Sequence, residues 1–140
     1  MKKILLACVL LVQCLTIHAE DWLTNVPAAL EKAKAANPGK KILLDFTGSD
    51  WCIWCRRLDA SLLSTTAFAD FAKEKLVLVK LDFPHYAQQD LEVKKANTEL
   101  ARKYNVSGFP TLILLSSNGD VLWQHAGVVS LEDLQRAVNK

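Results

Sequence analysis

The sequence predicts an α/β fold in which a central mixed β-sheet is flanked by helices on both faces. Three observations point to it. Short apolar runs recur at Lys41–Phe46, Leu76–Leu81 and Thr111–Leu115, each the length of a strand buried on both faces. Segments with apolar residues at helical spacing lie between and around these runs. After the third run, Ser117-Asn118-Gly119-Asp120 marks a hairpin turn, with Asn-Gly supplying positive φ angles, and Val121–His125 follows as an antiparallel edge strand.

Taken in order, Val26, Leu30 and Ala33 mark one face of a first helix. Pro27 fits its first turn, where a missing N–H costs nothing, and Asn37-Pro38-Gly39 stops it. The first strand leads through Thr47-Gly48-Ser49-Asp50 into a helix from Cys52 to about Leu63, with Leu58 and Leu62 inward. Ser64-Thr65-Thr66 offers a cap or kink, beyond which Phe68, Phe71 and Ala72 continue an apolar stripe. The second strand follows. A helix over Leu91–Tyr104 is expected to bury Val93, Ala96, Leu100 and Tyr104. Ser130 caps a last helix with Glu132 and Asp133 in its first turn and Arg136 near its end, the polarity the helix dipole favours. Strands joined by helices are expected to run parallel, closed off by the terminal hairpin.

The chain of 140 residues opens with Met1-Lys2-Lys3, an apolar run from Ile4 to Ile17, and His18-Ala19. This is the pattern of a cleavable secretory signal peptide over residues 1–19, leaving one domain over 20–140. The run is shorter than the roughly 20 residues a membrane-spanning helix needs. Cys8 and Cys14 each sit in a partial lipid-attachment pattern, a weaker alternative to cleavage. Without Lys2 and Lys3, the 17 Lys and Arg fall to 15 and balance the 15 Asp and Glu. A chain near neutrality has no bulk electrostatic footprint for nucleic acid. A periplasmic or secreted monomer is expected, in a compartment where disulfides persist.

Beyond residue 19 the cysteines are Cys52 and Cys55, within Trp51-Cys52-Ile53-Trp54-Cys55. A bridge across so short a loop adds little chain-entropy stabilisation, so chemistry explains the pair better than stapling. Structural zinc wants four ligands, and only His85 and His125 are available to join the two sulfurs. Copper(I) on two thiolates is the more credible metal alternative. No metal and no cofactor are expected.

Leu44-Asp45-Phe46 ahead of the CxxC, Lys80-Leu81-Asp82 at the next strand end, and Val106-Ser107-Gly108-Phe109-Pro110-Thr111 about 55 residues after the pair complete a pattern. In these residues the chain resembles the thioredoxin superfamily over nearly all of 20–140, and most of all its exported members with an Asp-Phe-Thr-Gly-Ser-Asp-Trp-Cys lead-in. Two departures stand out. One extra residue lies between Asp45 and Cys52 relative to cytosolic thioredoxin, and Ile53-Trp54 replaces the Gly-Pro that helps set redox poise in the family.

The resemblance implies a thioredoxin fold and a thiol–disulfide oxidoreductase. Cys52 would attack and Cys55 resolve, opposite a cis-Pro110 whose neighbour Phe109 pairs with substrate backbone. Asp45 and Lys80 would lie behind Cys55 as proton acceptor and tuner, with a structural ion pair or a partly solvated strand end as the plainer alternatives. Trp51 and Trp54 would form an apolar substrate-contact rim around Cys52, with one of them packed into the core as the plainer alternative, and Phe109 would pack beside the disulfide and influence substrate choice. Implied partners are protein substrates with disulfides or thiols, and a redox partner protein that recharges the pair, possibly membrane-bound. Reduction or isomerisation fits the resemblance better than strong oxidation. The rival is a non-enzymatic thioredoxin-fold chaperone or copper-handling assembly factor.

Overall fold

A computed structural model describes residues 21–36 and 39–140. The signal-peptide reading, Cys8, Cys14 and the helix stop at Asn37-Pro38 lie outside the described residues. Helix α1 (Val26–Ala35) is followed by β1 (Lys41–Thr47), α2 (Ile53–Leu58), a π-helical turn (Asp59–Leu63) and α3 (Thr66–Lys75). The chain continues through β2 (Leu76–Asp82), α4 (Leu91–Lys103), β3 (Thr111–Leu115), β4 (Val121–Ala126) and α5 (Leu131–Val138). The four strands form one sheet in the order β2-β1-β3-β4, with β4 at an edge.

Alternation along the central strands sends side chains to two cores. Ile42, Leu44 and Phe46 pack with Val77, Val79 and Ile113 beneath α1 and α4. Leu43, Leu78, Leu112 and Leu114 pack with Leu58, Leu62, Phe68 and Leu134 on the other face. All fourteen of these side chains are wholly or almost wholly removed from water, and each such burial contributes about 1.5–3 kcal/mol relative to exposure. Caps fix the helix starts: the side chains of Asn25, Thr65, Asp90 and Ser130 each accept a backbone N–H of the first turn.

Four expectations need correction. First, β1 pairs parallel with β2, but β3 runs antiparallel to β1. The register gives the reason. Asp82 lies opposite Thr47, and Thr111 lies opposite Phe46, so the 83–110 connection begins and ends at the same end of the sheet. Second, the helix after Cys52 reaches Leu63 with Leu58 and Leu62 inward as expected, but its second half is a π-helical turn rather than regular α-helix before Thr65 caps α3. Third, α4 buries Asn97 and leaves Ala96 exposed. Asn97 Nδ2 donates to the Asp82 carbonyl at 3.0 Å, satisfying the end of β2. Fourth, only Gly119 of the Asn-Gly pair has a positive φ, at 92°. The loop closes from the Ser116 N–H to the Asp120 carbonyl at 2.8 Å, so three residues turn rather than two.

Asn97→Ala removes one of the two side-chain donors to the Asp82 carbonyl, the other being Gln89 Nε2 at 3.0 Å. Stability should fall by about 1 kcal/mol, read as a lower urea midpoint at unchanged slope, whereas Ala96→Ser should leave the midpoint in place.

Candidate active site

At the end of β1 the chain turns at Gly48, whose carbonyl accepts the N–H groups of Cys52 and Trp51 at 2.9 and 3.3 Å. Cys52 is extended (φ −82°, ψ 109°) and caps α2 rather than lying inside its first turn. Its Sγ accepts the Cys55 N–H at 3.2 Å. The two cysteines are joined as a disulfide with Cα atoms 5.3 Å apart, and both are almost closed to water.

Their surroundings differ. Cys52 Sγ lies 3.7 Å from the Phe109 carbonyl oxygen, beside the cis Phe109–Pro110 peptide bond that opens β3. Pro110 is buried, and its carbonyl accepts the Gly127 N–H at 2.9 Å. Cys55 Sγ instead lies 3.5 Å from the Gly48 N–H. With Asp45, Thr47, Arg56, Asp59 and Lys80, Cys55 lines a cavity of about 130 Å³ beneath the pair.

Asp45 is buried at the floor of this cavity, and no described protein group hydrogen-bonds to its Oδ1. Burial pushes its carboxyl up from 3.8 to about 7; the Lys80 ammonium pulls it down, and Asp59 and Asp82 add to the rise. Lys80 is the strand partner of Asp45, yet the two make no contact ion pair. Among the described residues the ion pairs within 4 Å are those of Arg136 with Glu132 and Asp133. The Lys80 ammonium lies over the Trp22 ring, 5.3 Å from its centroid.

Trp51 and Trp54 sit differently, one packed and one open to solvent. Trp54 and its neighbour Ile53 are exposed, with the Arg57 guanidinium 5.6 Å from the Trp54 ring centroid. Trp51 is half-buried in an aromatic wall. It stacks on His85 at 4.2 Å, meets Phe109 edge-on at 6.0 Å, and donates its Nε1–H to the Phe83 carbonyl at 2.8 Å. Phe83 in turn stacks on Phe109 at 4.9 Å.

The lead-in residues hold this wall in place, a role that sequence reading missed. Ser49 donates its N–H and hydroxyl to the Asp82 carboxylate at 3.0 and 2.6 Å. The Asp50 carboxylate accepts the N–H groups of His85, Tyr86 and Ala87, each at 2.9 Å. Those of Ala87 and His85 in particular hold the Asp50 carboxyl below its usual value. Gly48 is required for a steric reason, because a Cβ there would stand 2.5 Å from the Trp51 indole. His85 therefore has a place at the site, while His125 stacks on Trp123 on the edge strand.

A cysteine pair at the head of a helix, opposite a cis X-Pro strand start on a mixed sheet, defines the thioredoxin-fold class. The thioredoxin-like domain family matches residues 26–140, and the chain belongs to that family. The disulfide bond reductase DsbH of Chlamydia pneumoniae is 40% identical over 94 residues, covering 67% of this chain and 55% of that protein. The thiol:disulfide interchange protein DsbD of Actinobacillus pleuropneumoniae is 30% identical over 97 residues, 69% of this chain and 15% of that protein. The chain thus spans about half the length of DsbH and a small part of DsbD. The solved structure of a DsbH oxidoreductase superposes with a TM-score of 0.75 at 33% identity, covering 85% of this chain and 84% of that one. A Thermus thermophilus thioredoxin, at 18% identity and a TM-score of 0.61 over 86% of this chain and 85% of its own, shares the fold.

Two outcomes are expected from this geometry. Gly48→Ala should displace the Trp51 indole and destabilise the protein by about 1–3 kcal/mol, seen as a lower melting temperature and a shifted tryptophan emission. Asp45, raised from 3.8 to about 7, binds more protons in the folded state than in the unfolded one between those values. Its contribution is therefore fully present below pH ~4 and is lost as pH rises through about 7, a change of roughly 4 kcal/mol. Asp45→Asn should remove that slope and, above pH ~7, make the disulfide form more stable than the parent in urea unfolding.

Proposed function

We propose that the chain is an exported thiol–disulfide oxidoreductase acting on protein disulfides, running as a reductase or isomerase rather than a strong oxidant. One observation carries the reading. The Cys52 sulfur accepts the Cys55 N–H and lies beside the Phe109 carbonyl, while Cys55 lines the Asp45 cavity. The two sulfurs thus have different environments, as attacker and resolver require. The similarity to a protein named a disulfide bond reductase, and to the DsbD interchange proteins, supports the same chemistry.

In the reduced protein, the Cys55 N–H and the head of α2 stabilise a Cys52 thiolate. That thiolate attacks one sulfur of a client disulfide. A Cys52–client bond forms, the client S–S bond breaks, and one client sulfur leaves as a thiolate. Cys55 then gives up its proton to the Asp45 carboxylate across the cavity and attacks Cys52 Sγ. The Cys52–Cys55 disulfide forms, the second client thiolate leaves, and two electrons have passed to the client. The structure corresponds to this oxidised end state. Recharging takes two electrons from an external dithiol, assigned here to a redox partner protein. Phe109 offers its backbone to an extended client segment beside Pro110, and the exposed Ile53 and Trp54 supply apolar contact. Residues 1–19, read as a signal peptide, would place this chemistry in the periplasm or outside the cell.

Insulin reduction driven by dithiothreitol tests the proposal. Cys52→Ser should abolish catalysis, and Cys55→Ser should accumulate a mixed disulfide through Cys52. An active Cys52→Ser variant, or a wild type that neither reduces nor oxidises a disulfide, would remove the enzymatic reading. Asp45→Asn should slow resolution on the order of 10²-fold while leaving the first attack unchanged, a separation that single-turnover quenching resolves.

A further inference from the structure

The segment before α1 makes an interaction that the catalytic scheme leaves unused. Leu23 forms an isolated parallel bridge to Val79 at the outer edge of β2. Its N–H donates to the Leu78 carbonyl at 2.9 Å, and its carbonyl accepts the Lys80 N–H at 2.8 Å. Because successive side chains point to opposite faces, Leu23 joins the α1–α4 core, while Trp22 packs over the other face and stacks on Phe68 at 6.4 Å. The Lys80 ammonium sits over that indole.

This position competes with a simpler one. Lys80 and Asp45 are register partners on adjacent strands, and both line the same cavity, so an ion pair is within structural reach. It is not made, and Asp45 Oδ1 is left without a protein partner. The other charged groups around Asp45 are Arg56 on α2, Asp59 on the π-helical turn and Asp82 on β2. Of the two cations in this set, Lys80 is the strand partner of Asp45, so its placement governs the local balance. An indole face is the best aromatic partner for an ammonium.

We propose that Trp22 is a positioning residue: its indole holds the Lys80 ammonium away from Asp45 and so keeps that carboxyl free of an ion pair. The functional meaning rests on the proposed proton-accepting role of Asp45, but the physical claim does not.

The test follows the Asp45 carboxyl carbon by ¹³C NMR titration of the full chain in its disulfide form. Trp22→Leu should release Lys80 to Asp45 and lower the Asp45 midpoint by about one pH unit or more. Trp22→Phe, which keeps a weaker ring face, should give a smaller downward shift, and it carries the test alone if the leucine variant does not fold. In a Lys80→Gln background neither substitution should move the midpoint. An unmoved midpoint in the single variants would overturn the proposal. So would a shift that persists in Lys80→Gln, because water entry rather than lysine placement would then be its cause. Since the readout needs no turnover, a failed insulin assay would count against the enzymatic reading and leave this result intact.

Discussion

The register of β1 between its two neighbours is the constraint on which the site depends. Phe46 lies opposite Thr111 on one side, and Thr47 lies opposite Asp82 on the other. Those pairings bring three chain segments to one end of the sheet: the Gly48–Cys52 turn, the 83–87 loop and the Phe109–Pro110 strand start. Side chains alternate with a period of two, so a slip of one residue would carry Asp45 to the opposite core and remove it from Cys55. The register is held by apolar packing on both faces, where Leu43 and Leu44 point in opposite directions and both are fully buried. Chemistry at the cysteines is thus fixed by residues that take no part in it.

Within that frame, Asp45 is, among the described residues, the one acidic side chain placed in the core, and it runs against the rule that buried charges are paired. Burial disfavours its charged form and pushes its carboxyl up to about 7, so the group is tolerated there by taking up a proton. A contact ion pair with Lys80 would relieve the conflict and would also hold the carboxyl in its charged form. A cavity of about 130 Å³ and an ammonium turned toward Trp22 leave the conflict standing. The interior is therefore less stable than it could be above neutral pH, and a carboxyl able to take up a proton near neutrality shares the cavity that Cys55 lines.

Much of this was legible from local pattern. Apolar runs of strand length, a CxxC between strand and helix, and Gly-Phe-Pro-Thr before a third strand carried the thioredoxin resemblance, and that resemblance placed Cys52, Cys55, Asp45, Lys80, Phe109 and Pro110 at one site. What the pattern left hidden depends on contacts distant in sequence. Asp50 reads as a loop residue until its carboxylate is seen to gather backbone N–H groups from His85 to Ala87, and His85 has no signal apart from its stack on Trp51. Asn97 escaped because a polar residue does not count toward an apolar stripe, although the Asp82 carbonyl needs a donor there. The direction of β3 followed from where the 83–110 connection ends, which helix periodicity does not encode.

The poise of the Cys52–Cys55 pair is what joins these features to function. Cys52 rests on the Cys55 N–H, Ile53 and Trp54 separate the sulfurs, and Asp45 waits beneath the second. Equilibration of the pair with glutathione buffers of known ratio measures the balance of these effects in a single number. A reductase or isomerase of this fold should equilibrate reversibly at a potential near the thioredoxin end of the scale, roughly −270 mV, or between it and the roughly −180 mV of an isomerase. A value near the roughly −120 mV of a dedicated oxidant, or a disulfide that does not exchange with glutathione at all, would contradict the account.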